Sequence, residues 1–113
     1  DVMVVNKTGS DLTLIKAPQP KDNPGGSGVW SSDILPPPEI KSNTEEAYGC
    51  ESNGFMTGVT DAKVWYKNVK TGGEYVLTTS NPYSGSNHSE AYPSTILVIQ
   101  GGGDNCTVKF VLK

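Results

Sequence analysis

The chain has 113 residues, a formal net charge of −3 and an isoelectric point near 5.0. Hydrophobic residues make up 35% and charged residues 19%, and 13 glycines with 8 prolines favour short strands and many turns within one globular domain, 1–113. All basic residues are lysines, and the lack of arginine together with the acidic balance argues against nucleic acid as a partner.

The N-terminal part predicts a hairpin followed by a long irregular segment. Residues 2–5 are apolar, residues 6–10 have the composition of a turn, and residues 12–16 form the returning strand. Residues 17–38 contain most of the prolines, so a loop that wraps the sheet is expected there. Within this loop, packing of Trp30 into the core is favoured over a binding role.

Residues 43–49 predict a short helix. Asn43 is a candidate N-terminal cap, Glu45 and Glu46 lie in the first turn, and Gly49 is a candidate stop.

Residues 62–80 carry the clearest strand pattern of the chain, a β-hairpin with its turn at 71–73. One face of the first strand is apolar, and the opposite face carries Trp65 between Lys63 and Lys67. An indole in that position is either covered by another part of the fold or available to a ligand.

Residues 81–93 predict a polar loop with a brief helical turn at 89–91. Sugars present hydroxyl groups and an apolar C–H face, so their sites combine amide or hydroxyl groups with an aromatic plate, and this segment supplies both. The alternative is that these residues only form turns. The candidate ligand-binding residues are Trp65, Ser80, Asn81, Tyr83, Ser84, Ser86, Asn87, His88 and Tyr92.

The C-terminal part predicts two more strands. Residues 95–100 are apolar on both faces, as a central, doubly covered strand is, and the final strand turns Cys106, Val108, Phe110 and Leu112 inward. The expected fold is therefore α+β and β-dominated: an antiparallel sheet of about six strands covered by the proline-rich loop and one or two short helices. An all-β sandwich is the alternative.

Cys50 and Cys106 are far apart in the sequence, which favours one structural disulfide over a metal site or a redox pair. Such a bridge stabilises by roughly 4 kcal/mol in the chain-entropy model. Two buried free thiols are the alternative. Glycosylation sequons at Asn6, Asn87 and Asn105, and a start without methionine, lead us to expect a secreted glycoprotein. No apolar run is long enough to span a membrane.

Catalysis has little support in the sequence. His88 is the one histidine, so neither a zinc site nor a Ser-His-Asp triad has its usual ligands or base, and no cofactor motif is present. We therefore expect a binding protein without enzymatic activity, cofactor or metal.

Three short motifs carry a resemblance to known families. Residues 4–9 (VVNKTG), 57–60 (TGVT) and 80–83 (SNPY) occur in an order that resembles small secreted lipid- and glycan-binding β proteins of the actinoporin, fungal fruit-body lectin and aegerolysin kind.

For Ser80, Pro82 and Tyr83 the actinoporin resemblance implies contact with a phosphocholine headgroup, and a cytolysin-like protein that binds membrane lipid headgroups is the alternative function. The chain lacks the amphipathic N-terminal helix that builds a pore. A secreted fungal-type lectin with a defence role fits better, and it implies a neutral oligosaccharide as the ligand. An exposed edge strand would also allow a homodimer.

Overall fold

The computed structural model describes residues 1–101 and 107–113, and it shows a β-dominated fold. Its strands are β1 (Val2–Asn6), β2 (Leu12–Lys16), β3 (Val29–Trp30), β4 (Glu39–Ile40), β5 (Glu45–Tyr48), β6 (Cys50–Glu51), β7 (Gly58–Asn68), β8 (Glu74–Pro82), β9 (His88–Tyr92), β10 (Leu97–Gln100) and β11 (Val108–Leu112). Within those ranges the helical structure is limited to one 3₁₀ turn, Pro20–Asp22. The β-dominated class is confirmed, and the covering helices are not found.

The strands form two larger sheets instead of the single sheet that we expected. One sheet has the order β10-β11-β1-β5 and the other the order β4-β2-β7-β8-β9, while β3 and β6 form a separate pair. Neighbouring strands are antiparallel except for β1 and β11, which are parallel. Buried residues of both sheets, such as Val4, Phe110 and Leu77, belong to one core cluster. This arrangement is closer to the sandwich alternative.

The expected N-terminal hairpin is wrong, because β1 and β2 lie in different sheets. The side chain of Asn6, which is fully buried, stabilises the crossing between them. Its Nδ2 donates to the carbonyl oxygens of Ser10 (2.8 Å) and Ile40 (3.0 Å), and its Oδ1 accepts from the backbone N–H of Thr8 (3.1 Å). A turn held in this way redirects the chain toward the second sheet.

The expected helix at 43–49 is also wrong, because most of that segment is strand β5. It pairs antiparallel with β1, with Tyr48 opposite Val2, and the Tyr48 side chain is fully buried. A capping arrangement contributes about 1 kcal/mol, whereas burying a large side chain contributes about 1.5–3 kcal/mol. The tertiary pairing therefore overrides the local helix signal.

Two C-terminal expectations need correction as well. The segment expected as a central strand, 95–100, forms β10 at the edge of its sheet, where Leu97 is 47% and Ile99 50% exposed. The segment expected as a loop with a helical turn, 81–93, contains strand β9, which pairs with β8. Hydrophobicity on both faces of a short segment does not distinguish a central strand from an edge strand.

Two expectations about packing are confirmed. Trp30 is buried, its Nε1 donates to the carbonyl oxygens of Ala17 (3.0 Å) and Pro18 (3.1 Å), and its ring meets that of Tyr48 edge to face. The last strand, β11, buries Val108, Phe110 and Leu112.

Asn6→Ala should lower the free energy of unfolding by about 2–4 kcal/mol, because buried carbonyl and N–H groups around the turn lose their partner. Urea unfolding followed by fluorescence measures the change, and Lys7→Ala, at the exposed neighbouring position, is the control with an expected change within about 0.5 kcal/mol. Equal losses in the two variants would show that the amide does not hold the crossing.

Candidate functional site

The outer face of the five-stranded sheet gathers polar and aromatic side chains from four strands. Residues directly opposite each other in an antiparallel pair project to the same side, so the register defines rows of neighbours across this face. The rows are Lys16, Trp65, Val76 and Tyr92; then Lys63, Thr78 and Glu90; then Ser80 and His88. We call these residues the outer face.

A shallow depression of about 270 Å³ lies in the outer face. Val76 and Thr78 on β8 are flanked by Lys63 on β7 and by Glu90 and Tyr92 on β9. Tyr92 is 68% exposed, so most of its side chain is free to contact a ligand. The depression therefore combines an aromatic ring, a hydroxyl, an ammonium and a carboxylate.

Trp65 lies beside this depression on the face that the alternation predicts. The residue is half-buried, with the Lys16 Nζ 4.3 Å and the Lys63 Nζ 5.9 Å from its ring centroid. Such a cation–π contact contributes about 0.5–1 kcal/mol at an exposed site. The Trp65 ring is thus partly covered by the lysine side chains and partly exposed.

Glu90, the carboxylate that lines the depression, lies close to His88. His88 Nε2 lies 3.7 Å from Glu90 Oε2, and both side chains are about two-thirds exposed (65% and 67%). An exposed pair of this kind contributes little to stability, and it exists as an ion pair only when the imidazole is protonated.

The structure divides the sequence-predicted site residues into two groups. Trp65, Ser80, His88 and Tyr92 come together on the outer face. The others lie toward the end of the β8–β9 hairpin: Asn81, Tyr83, Ser84, Ser86 and Asn87. The expectation that residues 81–93 form one loop is therefore wrong, because strands β8 and β9 extend into that segment.

Ser80 has a structural role within the first group. Its Oγ accepts a hydrogen bond from the backbone N–H of Asp61 (3.0 Å), a residue with the left-handed φ of 55° at the irregularity in β7. A left-handed non-glycine residue is uncommon and needs support from its surroundings. The hydroxyl of Ser80 stabilises this kink rather than facing a ligand freely.

A second cleft, of about 410 Å³, lies at the end of the β7–β8 pair. Asn81, Pro82 and Tyr83 line it together with Cys50 and Gly58. A side chain at Gly58, where φ is 60°, would collide with the backbone of Tyr83, so glycine allows the close approach there. We call this the end cleft, and it contains two of the three residues that the phosphocholine resemblance implies.

Four residues that line the depression were not among the candidates from the sequence: Lys63, Val76, Thr78 and Glu90. For the first three a signal was present, because the hairpin alternation places them on the side of Trp65. Glu90 had no such signal, since the pairing of β9 with β8 joins segments that the sequence describes as loop.

The disulfide remains a prediction, because Cys106 lies outside the described residues. Cys50 is half-buried beside the end cleft, and burial raises the pKa of its thiol. Of the sequons, Asn6 has its amide buried and hydrogen-bonded, which leaves no room for a glycan in this fold, and Asn105 lies outside the described residues.

Two further observations concern the described ranges 1–101 and 107–113. They contain no helix whose length and apolar character would suit a membrane crossing. In the same ranges, no three His, Cys, Asp or Glu side chains converge as metal ligands would.

The chain was compared with known protein families and with curated proteins. No family model matches the chain, and the search of curated proteins found no match.

We expect iodoacetamide to leave both cysteines unlabelled in the denatured, unreduced protein and to label both after reduction, because a disulfide has no free thiolate. Peptide mass spectrometry measures the labelling, and a Cys106→Ser variant, which frees Cys50, is the positive control. Labelling of Cys50 in the unreduced wild-type protein would exclude the bridge.

Proposed function

We propose that the protein is a secreted, non-enzymatic glycan-binding module whose ligand lies on the outer face. The observation that carries the proposal is the exposed ring of Tyr92 beside a depression that Lys63, Thr78 and Glu90 line. An aromatic ring packs against the C–H face of a pyranose, while the ammonium, hydroxyl and carboxylate groups bond its hydroxyls. These are the components that a sugar site needs.

The size and lining of the depression favour a sugar over an apolar molecule. At about 270 Å³ it is slightly smaller than the sites that hold drug-sized ligands, and it is shallow and partly polar. A small ring with several hydroxyls fits such a surface, whereas a large apolar ligand would stay mostly exposed. Affinity for one sugar unit is expected to be modest because few atoms are in contact.

The number of carboxylates in the depression favours binding of a sugar without hydrolysis. Glycosidic cleavage ordinarily uses two carboxyl groups on either side of the bond. Of the described residues that line the depression, Glu90 alone carries a carboxylate. A single carboxylate serves as a hydrogen-bond acceptor for sugar hydroxyls.

The end cleft supports a second candidate function, binding of membrane lipid headgroups. Tyr83 is 62% exposed there, and Phe55, in the segment that leads into the same end of the β7–β8 pair, is 88% exposed. Exposed aromatic residues at one end of a protein suit insertion among lipid headgroups. Sedimentation with sphingomyelin liposomes tests this function, and lack of sedimentation counts against it.

Tyr92→Ala should weaken binding of the best saccharide from a glycan array about 30-fold, since truncating a central aromatic contact costs about 2 kcal/mol. Tyr83→Ala is a matched control, because its side chain has nearly the same exposure but lies at the end cleft. Isothermal titration calorimetry measures both variants.

The array itself is the first test, and the absence of any saccharide above background would remove the glycan proposal. A loss of affinity in Tyr83→Ala with none in Tyr92→Ala would place the ligand at the end cleft and overturn the assignment to the outer face.

A homodimer through an edge strand is part of the proposal, because two copies would strengthen a weak sugar site through avidity. In the described chain β4, β5, β9 and β10 lie at sheet edges. Light scattering coupled to size exclusion should give twice the monomer mass of 12.0 kDa, and a monomer at all concentrations contradicts the dimer.

A further inference from the structure

Two ammonium groups converge on one indole at the edge of the proposed sugar site. Lys16, on β2, lies directly opposite Trp65, and Lys63 precedes Trp65 by two positions on β7, so both project from the outer face. Their Nζ atoms lie 4.3 Å and 5.9 Å from the Trp65 ring centroid. The strand register therefore places both lysines on the same face as Trp65.

Neither lysine is neutralised within the described part of the chain. The ion pairs there that involve lysine use Lys21, Lys41 and Lys109. The cross-strand neighbours of Lys16 and Lys63 on the side chain's own face are Trp65 and Thr78, which carry no charge. Among the described residues these two cations therefore have no acidic partner within ion-pair distance, although the protein has a net charge of −3.

The same face of the sheet carries other charged residues near Lys16 and Lys63. Lys67 lies directly opposite Glu74. Glu90 lies 3.7 Å from His88, and its strand is the second from that of Lys63 in the sheet, about 10 Å away at the usual strand spacing. Lys16 and Lys63 thus lie on the Trp65 side of the depression, and Glu90 lies across β8 from Lys63.

Lys63 connects this positive charge to the sugar site. It lines the depression and also lies beside the Trp65 ring, so a ligand whose ring packs on Tyr92 can extend toward both ammonium groups. An anionic substituent at that end would gain charge-assisted hydrogen bonds. A neutral sugar has no charge that could pair with either ammonium group.

Resting on the proposed function, we infer that the outer face selects an acidic saccharide. The ring of the sugar packs against Tyr92 and bonds to Thr78, and its carboxylate or sulfate group pairs with Lys16 and Lys63. This changes the expectation of a neutral oligosaccharide. A polyanion such as nucleic acid does not fit, because Glu74 and Glu90 border the same surface and would repel its further charges.

The test compares a galacturonic acid trisaccharide with its fully methyl-esterified form, which keeps the rings and loses the charge. Calorimetric titration of the wild-type protein should show at least 10-fold tighter binding of the acid. The preference should fall as ionic strength rises, because salt screens exposed charges. A sulfated galactose trisaccharide, titrated against its unsulfated parent, tests the second source of the anion.

The variants Lys16→Gln, Lys63→Gln and the double substitution keep side-chain length and remove charge. We expect the double variant to lose the preference and to bind the acid and the ester with equal affinity. Lys70→Gln, a lysine that is also free of ion pairs in the described chain but lies in the turn between β7 and β8, is the control and should keep the preference.

The outcomes separate this inference from the proposed function. Equal binding of acid and ester, and of sulfated and unsulfated sugar, with dependence on Tyr92, would overturn the acidic preference and leave glycan binding intact. A preference that survives in the double variant would also overturn it. Preference for only the carboxylate or only the sulfate, lost in the double variant, supports the inference and identifies the anion. Binding of no saccharide at all would remove the proposed function.

Discussion

The hydrogen bonds of the buried Asn6 amide determine how the two sheets are connected. At this residue the chain leaves the sheet of β1, and the amide satisfies the carbonyl oxygens of Ser10 on the turn and Ile40 on the other sheet. A buried carbonyl without a donor costs about 1–3 kcal/mol, so these hydrogen bonds stabilise the crossing between the sheets. The crossing in turn lets β2 pair with β7, and that pairing places Lys16 opposite Trp65. The charged end of the outer face therefore depends on an interaction in the interior.

Those parts of the fold that depend on local pattern could be predicted from the sequence. The β7–β8 hairpin needs only alternation and a glycine turn, and the register Tyr66 with Tyr75 and Trp65 with Val76 follows from them. The outward position of Trp65 is part of the same pattern. Burial of Trp30 was predictable for a different reason, because an isolated large ring in a polar loop has few ways to leave water except by packing on the core.

The remaining features depend on contacts between distant segments, which local pattern does not encode. The parallel pairing of β1 with β11 joins the two ends of the chain, and β5 replaces a helix because β1 offers it a partner. Half of the candidate site shares this dependence. Glu90 and Tyr92 face the depression only because β9 lies beside β8, so a reading of residues 81–93 as loop found the aromatic ring without the surface to which it belongs.

The site lies on the outer face because the inner face of the five-stranded sheet forms part of the core. The inner face of the five-stranded sheet carries Val64, Tyr66 and Leu77, and these side chains fill the core. The side chains of the outer face are not needed to fill the core, so they are available to contact a ligand. A single lysine would suffice for the cation–π contact with Trp65, and the second places another ammonium group beside the same ring without an ion pair in the described chain. An anion from outside would pair with these groups, which makes the charge pattern of this face easier to explain by binding than by stability.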